Sequence, residues 1–356
     1  MFKFLSNFQN FLKNEIAIDL GTSTTLIYVK GKGIVLDEPS VVAMDRYTNK
    51  VISCGSDAKK MLGKTPDTIE AKRPMKDGVI ADFEMVQEMI IYFLNKVLQK
   101  NLFVRPVVLI AVPSGITDVE RRAVRDAALL AGVQKVHMVS EPVAAAVGLG
   151  LPIEEPVGNM LIDIGAGTTE IAVISLSGIV VNKSIRTAGD EMDEAIITYI
   201  REKYRVAIGE QTAEEIKIKL GNAFPTYKEE KMEVRGRDLI TGAPKTIEIS
   251  STEVRNSLRG VLNEIIFAVK KALEQTPPEL LSDIIDRGIY LTGGGSLLKG
   301  LRELLMEETN ILIKTTENPR QCVVLGAGKI LENLDKYHQI LTASSKTMIK
   351  RTDFID

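Results

Sequence analysis

Apolar positions along this chain come in two rhythms. Short β-branched runs predict strands: Leu26–Val29, Val107–Val112, Ile171–Ile174 and 287–291, with shorter ones at 40–44, 51–54, 230–235 and 245–249. Helical spacing covers 82–99, where Met85, Met89, Ile90, Phe93, Leu94 and Val97 share a face. Further helices are predicted at 118–131, stopped by Gly132, at 141–148, rich in small residues, and at 190–203, 212–220, 252–274 and 297–306. A last helix starts near 326–328. Residues 1–14 place Met1, Phe4, Leu5, Phe8, Phe11 and Leu12 on one helical face, with Ser6, Asn7, Gln9, Asn10 and Lys13 on the other. Strands and helices alternate, so the fold class is α/β. Leu151-Pro152-Ile153-Glu154-Glu155-Pro156 reads as a crossing between two halves.

One pattern occurs in both halves. Ile18-Asp19-Leu20-Gly21-Thr22-Ser23-Thr24-Thr25 returns as Ile162-Asp163-Ile164-Gly165-Ala166-Gly167-Thr168-Thr169. Each copy lies between two apolar runs and reads as strand, tight turn, strand. The glycines supply turn geometry and leave backbone N–H groups open to phosphate oxygens. Asp19 and Asp163, at the mouths of the turns, suit a hydrated Mg²⁺, which takes few carboxylates and keeps its waters. An ordinary Gly-Thr hairpin would explain one copy; two copies point to two related domains acting on one nucleotide. A third cluster, Thr292-Gly293-Gly294-Gly295-Ser296, follows a strand and precedes a helix. Such a junction brings helix N-terminal amides to a ligand or makes a tight connection. No P-loop and no Gly-x-Gly-x-x-Gly after a strand is present, so phosphate binding rests on the paired hairpins.

Composition narrows the classes. The 356 residues exceed one core and suit two domains. A net charge of −2 gives no basic field for nucleic acid. Two cysteines and two histidines, without metal or redox spacing, leave no dedicated zinc site and no Ser-His-Asp chemistry, and fit a reducing compartment. No apolar run reaches transmembrane length, and the polar residues at 6–10 break any signal-peptide core. A cytoplasmic protein is expected.

The three glycine segments together resemble the actin, sugar kinase and heat-shock chaperone superfamily. Further strings are similar to the MreB family of bacterial actins: Glu38-Pro39-Ser40-Val41-Val42-Ala43, the run Arg73 to Asp82, Val112-Pro113-Ser114-Gly115-Ile116-Thr117, Glu120-Arg121-Arg122-Ala123-Val124 and Ser140-Glu141-Pro142-Val143-Ala144-Ala145-Ala146. The resemblance covers essentially the whole chain. It implies an actin-like ATPase fold of two related domains, each with a small subdomain, and a nucleotide cleft between them. On this chain they are 15–150 (small subdomain about 38–75) and 151–325 (about 189–250). An amphipathic helix, 1–14, precedes them, and a helix and tail, 326–356, return to the first.

The resemblance further implies a slow ATPase using ATP and Mg²⁺, filaments of the protein itself, and a role in cell shape, or motility in a wall-less bacterium. It implies a place on the inner face of the cell membrane, with membrane or cytoskeletal partner proteins. By the same likeness, Glu141 and Thr168 carry hydrolysis. The nucleotide set is Asp19, Gly21, Thr22, Ser23, Thr24, Asp163, Gly165, Ala166, Gly167, Thr168, Gly189, Glu214, Lys217, Gly293, Gly294 and Gly295. Asp19 and Asp163 hold Mg²⁺ through water. Glu214 and Lys217, one helical turn apart, are either a surface ion pair or the contact to ribose and adenine. Phe4, Leu5, Phe8, Leu102 and Phe103 are the membrane candidates; Leu102 and Phe103 would otherwise join the core. One departure stands out: the family has a glycine where Ala166 stands, and a positive φ there would cost roughly 1 kcal/mol. A filament with structural nucleotide is the alternative that Ala166 raises. A sugar kinase would need an Asp base and a polar sugar pocket, for which no string is present. A chaperone would carry a further substrate domain.

Overall fold

A computed structural model describes residues 15–98, 105–225 and 228–341. The apolar stripe within 1–14, with Phe4, Leu5 and Phe8, and the pair Leu102 and Phe103 lie outside the described residues. The chain forms two compact units. One holds the described residues up to Val157, the segment Ile174–Ile179 and the residues from Gln321; the other holds Gly158–Val173 and Val180–Arg320.

The first unit begins with β1 (Glu15–Leu20), β2 (Thr24–Val29) and β3 (Gly33–Pro39), then β4 (Val42–Asp45), β5 (Val51–Cys54) and α1 (Ser56–Met61). β6 (Ile69–Lys72), β7 (Met75–Lys76), β8 (Val79–Ile80) and α2 (Phe83–Val97) follow. β9 (Val107–Val112), α3 (Asp118–Leu130), β10 (Lys135–Ser140) and α4 (Glu141–Leu149) complete its first passage. The second unit follows with β11 (Asn159–Ile164), β12 (Thr169–Ser175) and β13 (Gly178–Ile185), whose shared turn at Ile174–Ile179 counts with the first unit, then α5 (Gly189–Tyr204), β14 (Val206–Ala207) and α6 (Glu210–Leu220). β15 (Lys231–Asp238), β16 (Pro244–Ser250), α7 (Ser251–Glu274), α8 (Pro278–Arg287), β17 (Ile289–Thr292), α9 (Leu301–Thr309) and β18 (Ile313–Thr315) complete it. α10 (Cys322–Glu332) belongs to the first unit again.

The sequence repeat is a repeat of topology. The first sheet has the order β10-β9-β1-β2-β3, the second β18-β17-β11-β12-β13. β1 runs parallel to β9 and antiparallel to β2, and β9 parallel to β10. β11 likewise runs parallel to β17, and β17 to β18. The inner strands are apolar runs because both faces are covered: every residue of β11 is buried, and Ile16, Ala17 and Ile18 of β1 are in the core. Each unit has its own core, one around Ile16, Ile27, Met89, Phe93 and Ile110, the other around Ile162, Ile171, Ile196, Leu258 and Ile265. Small sheets accompany them, β5-β4-β6 in the first unit and β14-β15-β16 in the second.

Helix ends follow local chemistry. The Asp82 side chain accepts from Met85 N at α2, and Thr117 with Glu120 forms a capping box at α3. Two expectations are corrected and one helix is added. The helix expected at 297–306 is α9, beginning at Leu301, because Gly300 sits at φ +74 against the Phe224 backbone and cannot be helical. The glycines ahead of it form only a 3-10 turn, Gly294–Leu297. The last helix starts at Cys322, so Gly326 and Gly328 lie inside it rather than at its start. Pro278 opens α8, a helix the sequence pattern did not single out; at the first position its missing N–H costs nothing.

Candidate functional site

The two hairpin turns are built alike. Asp19 pairs in register with Ala111 of β9, and Asp163 with Thr292 of β17. Each carboxylate therefore stands one residue before the end of the central strand of its sheet. A Cβ on Gly21 would lie 2.7 Å from Thr24 O, and one on Gly165 would lie 3.2 Å from Thr168 O. The chain doubles back on the carbonyl three residues ahead at both turns, which leaves no room for a side chain at Gly21 and little at Gly165. Gly165 N closes the second turn on Thr168 O at 2.8 Å. The turn tips at Gly21, Ser23, Gly165 and Ala166 are partly open to solvent, while Thr22 and Thr168 are buried.

Each turn is braced by groups of its own unit. Ser40 donates to Gly21 O at 2.7 Å, shares a hydrogen bond with Thr25 Oγ1, and through its backbone N–H binds Ser23 O. Gly78 N, in the β7–β8 turn, donates to Thr22 Oγ1 at 3.0 Å. In the second unit, Gly189 N donates to Gly165 O and Asp190 N to Ala166 O at 2.8 Å, so the first turn of α5 is pinned to the hairpin. Thr169 Oγ1 donates to Thr187 O.

Ala166 is not among the residues with positive φ. The strain anticipated for a side chain at this position is absent, because the turn takes ordinary backbone geometry there.

The third glycine cluster lies against β11. Gly293 has φ +84, and a Cβ on it would come within 2.3 Å of Asp163 Oδ1 and of Ile164 O. A Cβ on Gly295 would strike the Ile164 side chain at 2.4 Å. These glycines let the strand–turn connection press on the Asp163 segment. The α-helix whose amides were expected here begins only at Leu301.

Glu141 is the first residue of α4. Burial pushes the Asp19 carboxyl up to about 7. Among the described residues no group of three or more His, Cys, Asp or Glu side chains could hold a metal by itself. Each unit offers one such carboxylate at its turn, Asp19 or Asp163, a hard oxygen donor of the kind a magnesium ion takes while keeping most of its waters.

Lys217 has partners on α5 that the sequence did not single out. Its ammonium donates to Asp193 Oδ2 and to Gly189 O, both at 2.8 Å. Asp193 carried no signal in the sequence, being one of several acids on an amphipathic helix. Ser40 and Gly78 stood inside recognised strings, but their bracing roles depend on the packing of distant segments.

With this geometry in view, the comparisons with known proteins are decisive. The family model described as MreB/Mbl protein matches residues 13–339. The chain belongs to the MreB/Mbl family. It is 52% identical over 339 residues to the cell shape-determining protein MreB of Escherichia coli strain K12, covering 94% of this chain and 97% of that one. To the cell shape-determining protein Mbl of Bacillus cereus it is 52% identical over 322 residues, 90% and 97% of the two chains. The crystal structure of MreB5 of Spiroplasma citri bound to ADP matches with a TM-score of 0.87 at 38% identity, covering 92% of this chain and 98% of that one; the AMPPNP-bound form matches equally. A MamK double helical filament, at 21% identity and TM-score 0.76, shares the fold. The actin-like α/β fold expected from the sequence is therefore the one found.

Proposed function

We propose that this MreB/Mbl family member binds ATP with Mg²⁺ through its two hairpin turns, hydrolyses it slowly, and assembles into filaments on the inner membrane face that act in cell shape. The observation carrying the reading is the duplicated Asp–turn–Thr hairpin at matching places in two sheets of one topology. The S. citri relative, bound to ADP and to AMPPNP, supports the choice of an adenine nucleotide. The names of the E. coli and B. cereus relatives support the cellular role.

In this reading the turn amides at Gly21–Thr24 and Gly165–Thr168 bind phosphate oxygens. Asp19 and Asp163 orient the waters of a magnesium ion, which would neutralise phosphate charge. Glu141 and Thr168 orient the attacking water, a task needing position more than basicity. Gly189, Glu214 and Lys217 contact the rest of the nucleotide, and Gly293, Gly294 and Gly295 complete the phosphate surroundings. Phe4, Leu5, Phe8, Leu102 and Phe103 supply membrane contact as weak anchors that a polymer multiplies. No described helix is long and apolar enough to cross a membrane.

The test is direct. Asp163→Ala should weaken Mg·ATP binding while leaving the fold intact, and unchanged affinity would remove the hairpin reading. Glu141→Ala and Thr168→Ala should each slow phosphate release by about 10²-fold with ATP still bound, the double variant being little slower than the slower single. Negative-stain microscopy with ATP and Mg²⁺, with and without lipid vesicles, tests assembly.

A further inference from the structure

Lys217 projects from α6 toward α5 and binds the carbonyl of Gly189, whose own N–H is bonded to the second hairpin turn at Gly165 O. A Cβ placed on Gly189 would meet Gly165 O at 3.2 Å, Ala166 Cα at 3.4 Å and Lys217 Nζ at 3.6 Å. One glycine thus touches the turn and the ammonium together. An ammonium has three N–H donors. Lys217 uses two of them on α5, at Gly189 O and Asp193 Oδ2. Its side chain keeps 18% of its surface open, and two bonds leave one of its three N–H donors over. Asp193 is the opposite case: the residue is 8% exposed, and its Oδ1 is buried with no hydrogen-bond partner. A carboxylate half-satisfied in this way is costly to keep for stability alone.

We propose that Asp193 is a positioning residue for nucleotide binding, holding the Lys217 ammonium against the Gly189 carbonyl so that its remaining N–H faces a nucleotide on the Gly165–Thr168 turn. The proposal rests on the nucleotide reading of that turn. A free lysine loses much rotamer freedom when it binds a ligand. Anchoring it beforehand on a rigid helix removes that cost from the binding step. Burial pushes the Asp193 carboxyl up to about 6; Lys217 pulls it down, and Glu214 on α6 and Asp190 on α5 push it further up. The anchor is therefore charged at pH 7.5 and is lost as pH falls through about 6.

The experiment measures Mg·ATP affinity of the full chain by displacement of a fluorescent ATP analogue, between pH 5.5 and 8. Asp193→Asn should weaken binding about 10-fold at pH 7.5, with Asp193→Glu restoring part of the loss. Lys217→Ala should lose at least as much, and the double variant no more than Lys217→Ala alone. Wild-type affinity should fall near pH 6 beyond the fall shown by Lys217→Ala, which shares the nucleotide's own titration. Wild-type affinity in a folded Asp193→Asn, tighter binding in it, or additive losses in the double variant would each overturn the proposal. Should Asp193→Asn not fold, the pH comparison of wild type with Lys217→Ala decides: identical profiles overturn it. A folded wild-type chain that binds no Mg·ATP at all would instead overturn the nucleotide reading itself.

Discussion

Replacing Gly326 by alanine should damage the first unit far more than so small a change suggests. α4 and α10 cross at their backbones. A Cβ on Gly326 would sit 1.7 Å from Ala144 O and 2.7 Å from Gly148 N, and one on Gly148 would sit 2.0 Å from Cys322 O. Ordinary contact begins at 3.4 Å, so the helices would have to part by roughly 1.7 Å in an interior packed as densely as a crystal. Overpacking of this kind costs about 1–3 kcal/mol. A gap of even ~1 Å forfeits up to about half of each dispersion contact along the interface. That interface includes Val143 to Val147 on α4 and Val323, Val324, Ala327, Ile330 and Leu331 on α10. The sum is a loss of about 3 kcal/mol or more, or a fall in Tm of roughly 6–12 °C for a unit this size. Gly260 is the control: it lies in α7, is exposed, and has nothing within 4 Å of the place a Cβ would take. There the same substitution should raise stability by about 0.5–1 kcal/mol, because only helix propensity changes. Urea unfolding of both variants, dilute and without nucleotide, measures the contrast. Equal effects, or a Gly326→Ala within about 1 kcal/mol of wild type, would refute the packing argument. Because Glu141 opens α4, any folded Gly326→Ala should also release phosphate more slowly.

Other expectations are simpler. Asp19→Asn should raise the melting temperature of nucleotide-free protein at pH 8: the folded carboxyl titrates near 7 against an ordinary 3.8, so stability falls as pH rises through that window, and the gain should vanish by pH 4. The same variant should bind Mg·ATP less well. Ala166→Gly should lower stability by no more than the added freedom of the unfolded chain allows, about 1 kcal/mol, since no positive φ is relieved; a rise in melting temperature would contradict the ordinary backbone geometry at that turn. Deleting residues 2–12 together with Leu102→Ser and Phe103→Ser should nearly abolish co-sedimentation with anionic liposomes while filaments still form in solution; retained binding would return these side chains to the core or to protein contacts.

Features written in neighbouring residues were legible before any fold was known. Turn chemistry marked both hairpins, because Asp, Gly and Thr within eight positions make the doubling-back and the open amides possible regardless of what surrounds them. Buried strands such as β9 and β11 announced themselves as apolar runs, and α2 and α3 by their periodicity and caps. Repetition of the hairpin anticipated the repeated sheet order. Which groups meet was a matter for packing. Ser40 reaches Gly21, Gly78 reaches Thr22, and Lys217 reaches Asp193 across 19, 56 and 24 positions. Gly326 reads in sequence as a place for a helix to begin. It lies within α10 because the backbone of α4 occupies the space that a side chain would need. Spacing along a chain fixes which side chains share a face; which opposite charge or carbonyl that face meets depends on the packing of distant elements, and a helix acid such as Asp193 gains its role only there.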